Sequence, residues 1–179
     1  MPEIEVRPAV SSDLSELVQF DHSSLTNYVW QMERNVNEGE IQIRLREVRL
    51  PRKIKIEYPY NPHKVFDDWN SSQNILVALL GDEPVGYVRL LEARSPGAAW
   101  IRDLVVRPDM RRQGIGSSLV IATNDWASAR NLKRTILEMQ SKNNPAIKMA
   151  NKLGYEFCGY NDHYYPNQDI AFFFSRYVL

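Results

Sequence analysis

The chain has little of what several common classes of protein require. It has a single cysteine, Cys158, in 179 residues, which excludes an internal disulfide bond and a multi-cysteine zinc site. Its three histidines, His22, His63 and His163, have spacings that match no metal-binding motif. We therefore expect no metal site. The context YEFCGY favours a buried, inert cysteine over a reactive thiol.

The sequence also lacks an excess of charge and a long apolar run. Its 22 Lys and Arg residues balance 22 Asp and Glu residues, so no overall positive field favours nucleic acid or an anionic membrane. No apolar run reaches the roughly 18 residues of a membrane helix, and the N-terminal segment MPEIEVRPAV does not resemble a secretory signal. These features predict a cytoplasmic protein that binds neither membrane nor nucleic acid.

The composition that is present is that of an ordinary globular domain. With 179 residues, 44% of them hydrophobic, the chain can bury one sizeable core but is short for two. No internal repeat, low-complexity tract or linker divides it. We expect one domain over residues 1–179, as a monomer or a homodimer.

Periodicity at the start of the chain predicts one strand and two helices. Residues 3–9 alternate like a short strand, and Ser11-Ser12-Asp13 would cap a helix, with Glu16 near the capping-box position. In residues 23–35 apolar side chains recur at helical spacing, which predicts a second, amphipathic helix that ends at Gly39.

From residue 40 onward the patterns are mainly those of strands. The runs 41–50 and 52–58 alternate apolar with charged residues, which is typical of a two-stranded ribbon with one wet, basic face and a turn at Leu50-Pro51. A hairpin is predicted over residues 74–93 around the turn GDEP, and a further strand over 99–106.

The second half alternates helices with strands. A helix over 114–130, a buried strand over 135–140 and a short helix over 144–153 are followed by two final strands. Gly154 is well placed to cap the short helix at its C-terminus. This order predicts a mixed α/β fold with a helix on each side of the 135–140 strand.

The segment RPDMRRQGIG joins the 99–106 strand to the 114–130 helix. The first-turn amides of that helix lack intrahelical partners and form an anion site, which Gly114 and Gly116 allow a phosphate to approach closely. Arg111 and Arg112 add positive charge, and Ser117 or Ser118 adds a donor. The chain has no P-loop tripeptide, and Leu119 breaks the dinucleotide-binding pattern, so a different phosphate-bearing ligand is expected.

The segment Arg111–Gly116 resembles the Q/R-x-x-G-x-G/A signature of the GNAT superfamily of acetyl-CoA-dependent N-acetyltransferases. Downstream, Asn144, Ala146 and the LGY of residues 153–155 are similar to the family's second motif. The resemblance covers residues 75–178 well and the first 74 loosely. The segments LEMQSKNNPA and YYPNQDIAFFFSR are most similar to the streptothricin acetyltransferase branch.

The resemblance implies a mixed, mainly antiparallel central sheet flanked by helices, in which two central strands, IRDLVV and TILEMQ, part to admit acetyl-CoA. No metal is implied. The residues implied to bind the coenzyme are Leu104, Val105, Val106, Arg111, Arg112, Gln113, Gly114, Ile115, Gly116, Ser117, Asn144 and Ala146.

The catalytic groups are less clearly marked. Many relatives carry a tyrosine that protonates the leaving thiolate where this chain has Ala150, so Tyr164 and Tyr165 become the candidate donors or amine-positioning groups. Asp103 and Glu138 lie on the two strands that should part and are the candidate bases. His163 has a suitable ordinary pKa, although an exposed loop histidine is more often inert.

The acceptor site is expected in the part that matches the family poorly. Its candidate aromatic walls are Tyr28, Trp30, Trp69 and Tyr165, and its candidate partners for a cationic substrate are Asp21, Asp67, Asp68 and Asp162. We expect transfer of acetyl from acetyl-CoA to a primary amine of a small molecule, such as an aminated antibiotic. The alternatives are a protein N-terminal acetyltransferase of the ribosomal-protein type and a coenzyme-A-binding module without turnover.

Overall fold

The computed structural model describes residues 3–64, 66–67, 69, 74–91 and 96–178. Within these residues, strands β1 to β9 lie at Glu5–Pro8, Ser24–Asn37, Glu40–Ile56, Ile75–Leu80, Glu83–Leu91, Ala98–Val106, Arg134–Gln140, Glu156–Asn161 and Ala171–Tyr177. Helices α1 to α3 lie at Ser11–Leu17, Ile115–Ser128 and Asn144–Lys152. No helix in this part of the chain is long and apolar enough to cross a membrane.

Seven strands form one sheet in the order β1-β4-β5-β6-β7-β9-β8, and β2 and β3 form a separate two-stranded sheet. In the large sheet every neighbouring pair is antiparallel except β6 and β7, which are parallel and joined through α2. The main core holds buried residues of α2 and α3, and a second core holds Leu17 and Phe20 from the α1 region. The predicted fold class, a mixed and mainly antiparallel sheet flanked by helices, is confirmed.

The parallel pair β6–β7 is short. Its register runs from Ala98 opposite Arg134 to Ile101 opposite Leu137 and stops there, although both strands continue. From Arg102 and Glu138 onward, β6 pairs only with β5 and β7 only with β9. The two central strands therefore part near the middle of the sheet, as the sequence predicts.

A β-bulge lies where this parting begins. On β5, Leu90 pairs with Ile101 and Arg89 with Asp103, so Arg102 is an extra residue with no partner opposite it. A bulge bends its strand and leaves backbone groups without ladder hydrogen bonds. The bulge therefore directs the Arg102 region of β6 away from regular pairing at the mouth of the gap.

The prediction of a helix over residues 23–35 is wrong, because this segment forms strand β2. It pairs along nearly its whole length with β3, from Ser24 opposite Ile56 to Asn37 opposite Glu40. Its β-branched and aromatic residues, including Thr26, Val29 and Trp30, favour a pleated surface over a helix. The helical spacing of three apolar residues extends over too short a stretch to outweigh this long-range pairing.

The turn predicted at Leu50-Pro51 is also wrong, since β3 is one strand through both residues. The ribbon turns instead at Gly39, whose φ of +75° favours glycine. Pro51 lies opposite the irregular pairing between Thr26 and Tyr28, where a missing backbone donor costs little. A two-stranded ribbon is therefore present, but residues 40–56 form only one of its strands, and the other strand is β2.

Two smaller expectations are corrected. Cys158 is exposed, because β8 is an edge strand with a register irregularity between Phe157 and Gly159. Helix α1 is capped by Asp13, not through Glu16: the Asp13 carboxylate accepts the Val10 amide at 2.8 Å and pairs with Arg7 at 2.8 Å. Gly154, as expected, follows α3 with a positive φ of +76°.

Candidate active site

The loop before α2 presents a row of unpartnered backbone amides. Gly114, with a φ of +89°, is the N-cap residue, and no side chain caps the helix. In the described part of the chain, the amides of residues 112–117 donate to no backbone or side-chain acceptor. A Cβ at Gly116 would lie 3.3 Å from the Met149 sulfur, so the backbone is closely approached there. Free amides at a helix N-terminus suit the pyrophosphate of acetyl-CoA.

The two arginines of this loop have different surroundings. The half-buried Arg111 donates from Nε to the Val106 carbonyl at 2.8 Å and from Nη2 to the Asp21 carbonyl at 2.8 Å. Burial lowers the pKa of Arg111. Arg112 is exposed, with a positive φ of 67°. Arg111 thus fastens the end of β6 to the segment after α1, and Arg112 is the one that faces solvent.

The remaining loop residues occupy the same rim. The Gln113 side chain is exposed and donates to the Asp109 carbonyl at 3.4 Å. The Ser118 hydroxyl donates to the Gly114 carbonyl at 3.3 Å, whereas Ser117 makes no such bond within the described residues. Ile115 is 1% exposed and anchors the first turn in the core. Of the two serines, Ser117 is therefore the one with a hydroxyl available to a ligand.

A narrow cavity of about 90 Å³ lies in the gap between β6 and β7. Its walls are residues 101–105 of β6, residues 137–140 of β7, and Asn143, Ala146 and Met149 from the α3 region. The segment after β3 closes it from the other side with Tyr58, Pro59 and Tyr60, together with His22, Ser24, Ile56 and Tyr165. Among the predicted coenzyme-binding residues, Leu104, Val105 and Ala146 line this cavity. Val106 lies at the end of β6, next to the loop.

Asn144, predicted to contact the coenzyme, does not line the cavity, whereas its neighbour Asn143 does. Asn144 is 3% exposed; its Oδ1 accepts the Trp30 indole N–H at 3.1 Å and its Nδ2 donates to Glu47 at 2.8 Å. These bonds fasten the β2–β3 ribbon to α3. Asn143 caps α3, and its Oδ1 accepts the Ser24 hydroxyl at 3.3 Å.

Asp103, one predicted base, is buried and paired. Its Oδ2 accepts Arg89 Nε at 2.6 Å, and its Oδ1 accepts the Tyr58 hydroxyl. The Asp103 side chain has no exposed surface, and that of Arg89 is 9% exposed. Both carboxylate oxygens of Asp103 are therefore occupied, one by a buried guanidinium and the other by a tyrosine hydroxyl. The structure therefore gives Asp103 a role in holding Tyr58 at the cavity wall.

Glu138, the other predicted base, lies on β7 where the strands part. It is 6% exposed and lines the cavity. Its Oε2 accepts the Trp100 indole N–H at 2.7 Å and the Tyr164 hydroxyl at 3.0 Å, and its Oε1 accepts the Tyr60 hydroxyl at 3.3 Å. These bonds orient the Glu138 carboxylate toward the cavity, within reach of a group bound there. Glu138 is therefore the better placed of the two carboxylates.

The two candidate tyrosines follow β8 in the loop before β9. Tyr165 is 4% exposed and lines the cavity, and Tyr164 reaches Glu138 from the side. Burial, and after it the charge of Glu138, raises the pKa of Tyr165 far above its ordinary value. A tyrosine with so high a pKa donates a hydrogen bond but does not readily give up its proton. Asp169 holds the loop, since its carbonyl accepts the Tyr164 amide at 3.2 Å and the Tyr165 amide at 3.3 Å.

Aromatic rings form a continuous wall beside the two carboxylates. Successive ring centroids lie 5.7 Å apart for Tyr58–Tyr60, 5.7 Å for Tyr60–Tyr165 and 5.0 Å for Tyr165–Tyr164. Burial raises the pKa of Tyr60 to about 12. Tyr58 and Tyr60 are not among the predicted site residues, because the segment after β3 carries no sequence pattern that indicates a site.

His22 is a further residue that sequence reasoning missed. Its Nδ1 lies 2.6 Å from the Phe20 carbonyl, to which it must donate, so Nε2 accepts the Tyr87 hydroxyl at 2.8 Å. Burial is the main cause of the lowered pKa of His22. His22 is thus a neutral imidazole in the cavity wall, with its ring 4.9 Å from that of Tyr58.

Most residues predicted to wall the acceptor lie elsewhere. Tyr165 lines the cavity, whereas Tyr28, Trp30 and Trp69 do not. Trp30 and Asp162 border a second, more open depression between β2 and the loop before β9. Asp21 and Asp67 are exposed, and Asp68 lies outside the described residues. His163 is exposed beside Asp162, and Ala150 is fully buried in the core.

The comparisons with known proteins agree with this geometry. The sequence matches the profile of the acetyltransferase (GNAT) family over residues 43–155. No curated protein matches the chain in sequence. The fold is similar to that of nourseothricin acetyltransferase, with a TM-score of 0.79 and 21% identity over 98% of this chain and 99% of that chain.

Two other solved structures extend the comparison. A Bacillus anthracis protein assigned as a streptothricin acetyltransferase, in complex with acetyl coenzyme A, has a TM-score of 0.77 and 21% identity over 98% of this chain and 99% of that chain. The ribosomal-protein-S18-alanine N-acetyltransferase of Escherichia coli has a TM-score of 0.69 and 14% identity over 98% and 94%. These likenesses show a shared fold, and the family match covers more than half of the sequence. The chain therefore belongs to the GNAT family of acetyltransferases.

Proposed function

We propose that this enzyme transfers the acetyl group of acetyl-CoA to a primary amine of a small molecule. As a member of the GNAT family the chain is an acetyltransferase, and acetyl-CoA is its acetyl donor. The observation that carries the proposal is the cavity between β6 and β7, which has free helix amides beyond one end and Glu138 within an aromatic wall at the other.

The donor side fits a coenzyme of this shape. The amides of residues 112–117 and the exposed Arg112 would bind the pyrophosphate, with Gln113 and Ser117 at the rim. Backbone groups of Leu104, Val105 and Val106, which have no strand partner on the β7 side, would pair with the pantetheine arm. Acetyl-CoA supplies an activated thioester, so the protein needs to position the two reactants and exclude water.

The acceptor side supplies the acid–base groups. The neutral amine nitrogen attacks the thioester carbon, a C–N bond forms, the C–S bond breaks, and the amine loses one proton. Glu138 would take that proton, directly or through one water. The Tyr165 hydroxyl would donate a hydrogen bond to the departing thiolate, and a backbone amide of β6 beyond Ile101, where pairing with β7 has ended, would stabilise the oxyanion.

The kind of acceptor follows from the size and walls of the cavity. Tyr58, Tyr60 and Tyr165 enclose a narrow space, which suits a slender amine better than a bulky one. The named activities of the nourseothricin and streptothricin acetyltransferases, whose fold this chain shares, are consistent with a small-molecule acceptor.

Coenzyme release measured with a panel of acceptors tests the proposal. We expect release from acetyl-CoA with at least one class of small amines, among aminated antibiotics, polyamines and amino-acid derivatives, and little with peptides. Release with peptides alone would favour a protein N-terminal acetyltransferase. Tight binding of acetyl-CoA without release on any acceptor would favour a non-catalytic module.

A further inference from the structure

Arg102 occupies a distinctive place in the acceptor half of the cavity. It is the extra residue of the β-bulge, it lies where β6 and β7 begin to part, and its half-buried side chain lines the cavity. The guanidinium carbon lies 4.3 Å from the centroid of the Tyr60 ring. This stacking orients the guanidinium along the aromatic wall, beside the position assigned to the acceptor amine.

Arg102 makes no ion pair with the part of the chain that the structure describes, although the nearby charges of Asp103 and Glu138 favour its charged form. Its Nε is buried and has no hydrogen-bond acceptor there, and no carboxylate lies within ion-pair distance of its guanidinium. Both oxygens of the adjacent Asp103 already accept other donors, from Arg89 and Tyr58. A buried guanidinium donor without an acceptor costs free energy that a ligand oxygen would recover.

The acceptor half of the cavity therefore holds two polar groups of opposite sign, both beside Tyr60. Glu138 suits the amino group of an acceptor, while Arg102 suits an oxygen that carries negative charge or lone pairs. An acceptor that brought only positive charges would place one of them near the Arg102 guanidinium, and like charges repel. A plain alkyl polyamine matches only Glu138.

We propose that Arg102 determines acceptor specificity by binding a carboxyl or amide oxygen carried next to the reactive amine, so that the preferred acceptor is an amino acid or a small molecule that carries an aminoacyl group. This inference rests on the proposed acetyl transfer to small amines and narrows its acceptor class. The Nε–H of Arg102 donates to the acceptor oxygen, and the Tyr60 ring keeps the guanidinium in place.

Matched sets of three acceptors test the inference. Each set holds an amino acid, its amide and the amine left by its decarboxylation, for alanine, leucine and lysine, with acetyl-CoA at saturation. We expect kcat/KM for the amino acid or the amide to exceed that for the decarboxylated amine by roughly tenfold or more, as a hydrogen bond to a charged group would give. A preference for the acid over the amide identifies a carboxylate as the ligand, and equal rates identify a carbonyl oxygen.

In the variant Arg102→Met, the ratio of kcat/KM for the amino acid to kcat/KM for the decarboxylated amine should be close to one, and the affinity for acetyl-CoA should not change. Arg102→Lys, which keeps a charge but loses the planar donor, should give an intermediate ratio. The exposed Arg34 on the ribbon provides the control, and Arg34→Met should keep the wild-type ratio.

Three results would overturn the inference. The first is an equal kcat/KM of the wild-type enzyme for the decarboxylated amines and for the parent amino acids. This measurement does not depend on the folding of any variant. The second is an unchanged ratio in a folded Arg102→Met. The third is an absence of turnover on every amine while acetyl-CoA still binds, which would remove the proposed function as well and is thereby distinguished from the first two.

Discussion

The hydroxyl of Tyr164 donates to the carboxylate of Glu138 at 3.0 Å, across the gap between the loop before β9 and strand β7. This bond, with those from Trp100 and Tyr60, orients the Glu138 carboxylate, whereas the other carboxylate in the cavity wall, Asp103, accepts from Arg89. We therefore propose that Glu138 and its tyrosine neighbours carry the acid–base chemistry of the site and that Asp103 supports the wall.

Replacing Glu138 with glutamine should lower kcat by roughly 10²- to 10⁴-fold, the range for loss of a positioned general base. The affinity for acetyl-CoA should not change, because Glu138 lies on the acceptor side. Stopped assays of coenzyme release, with calorimetry of acetyl-CoA binding, check both. Glu40→Gln at the exposed ribbon turn is the matched control, and near-normal turnover of the Glu138 variant would assign the base elsewhere.

The two loop tyrosines should respond to removal of their hydroxyls. Tyr164→Phe removes a donor to Glu138, and Tyr165→Phe removes a hydroxyl from the cavity wall, so each should lower kcat by roughly three- to tenfold, the worth of one hydrogen bond. Steady-state kinetics of the two single variants measures this. If both variants retain full turnover, neither hydroxyl takes part in the chemistry.

Gly116 offers the cleanest test of the pyrophosphate site. Gly114 adopts a φ of +89°, so any substitution there strains the backbone, whereas Gly116 lies inside α2. Gly116→Ala adds one methyl group among the free amides, 3.3 Å from the Met149 sulfur. We expect acetyl-CoA affinity to fall at least about tenfold while thermal stability is kept, since alanine favours helix. Unchanged affinity in calorimetry would exclude phosphate binding at these amides.

Replacement of Asn144 should show whether this residue contributes to coenzyme binding or to stability. Asn144→Ala removes the acceptor of the Trp30 indole N–H and one of the two partners of Glu47, which keeps Lys148. The change should cost about 1–3 kcal/mol of unfolding free energy, with acetyl-CoA affinity kept in the folded protein. Denaturant unfolding and calorimetry distinguish the two effects. If acetyl-CoA affinity fell and the free energy of unfolding did not change, Asn144 would be a coenzyme contact.

The free energy of unfolding should fall as the pH is lowered from 7 toward 5, because His22 is protonated more readily in the unfolded chain than in the folded protein. Burial lowers the folded pKa of His22, so below its ordinary value near 6.5 the unfolded state binds more protons than the folded state. The slope is at most about 1.4 kcal/mol per pH unit. His22→Gln should flatten the profile in this window. An unaltered profile would mean that other groups dominate it.

Much of the fold could be predicted from sequence, because residues 75–178 combine short apolar strand runs, several of them buried along their length, with one long amphipathic helix. The first third could not, since Leu25, Val29 and Met32 fit helical spacing while long-range pairing with β3 makes them strand. Exposure of Cys158 follows from the edge position of β8, which sequence periodicity does not report.

The site was predicted in outline by its local motifs. The segment RRQGIG predicts the anion-binding amides, because the glycines and the amides belong to the same six residues of the chain. Which of Asn143 and Asn144 faces the cavity depends on the cap of α3 and on contacts with the ribbon. The bulge at Arg102 depends on the register with β5, and Tyr58 and Tyr60 reach the site only through tertiary packing.

The most direct measurement of the central claim is transfer of an isotope-labelled acetyl group from acetyl-CoA to small amines, followed by mass spectrometry of the acceptor. The account predicts that wild-type enzyme adds one labelled acetyl group to an amine nitrogen, with one free coenzyme released per product, and that Glu138→Gln does so at least about 100-fold more slowly. An enzyme that binds acetyl-CoA but labels none of the small amines would contradict it.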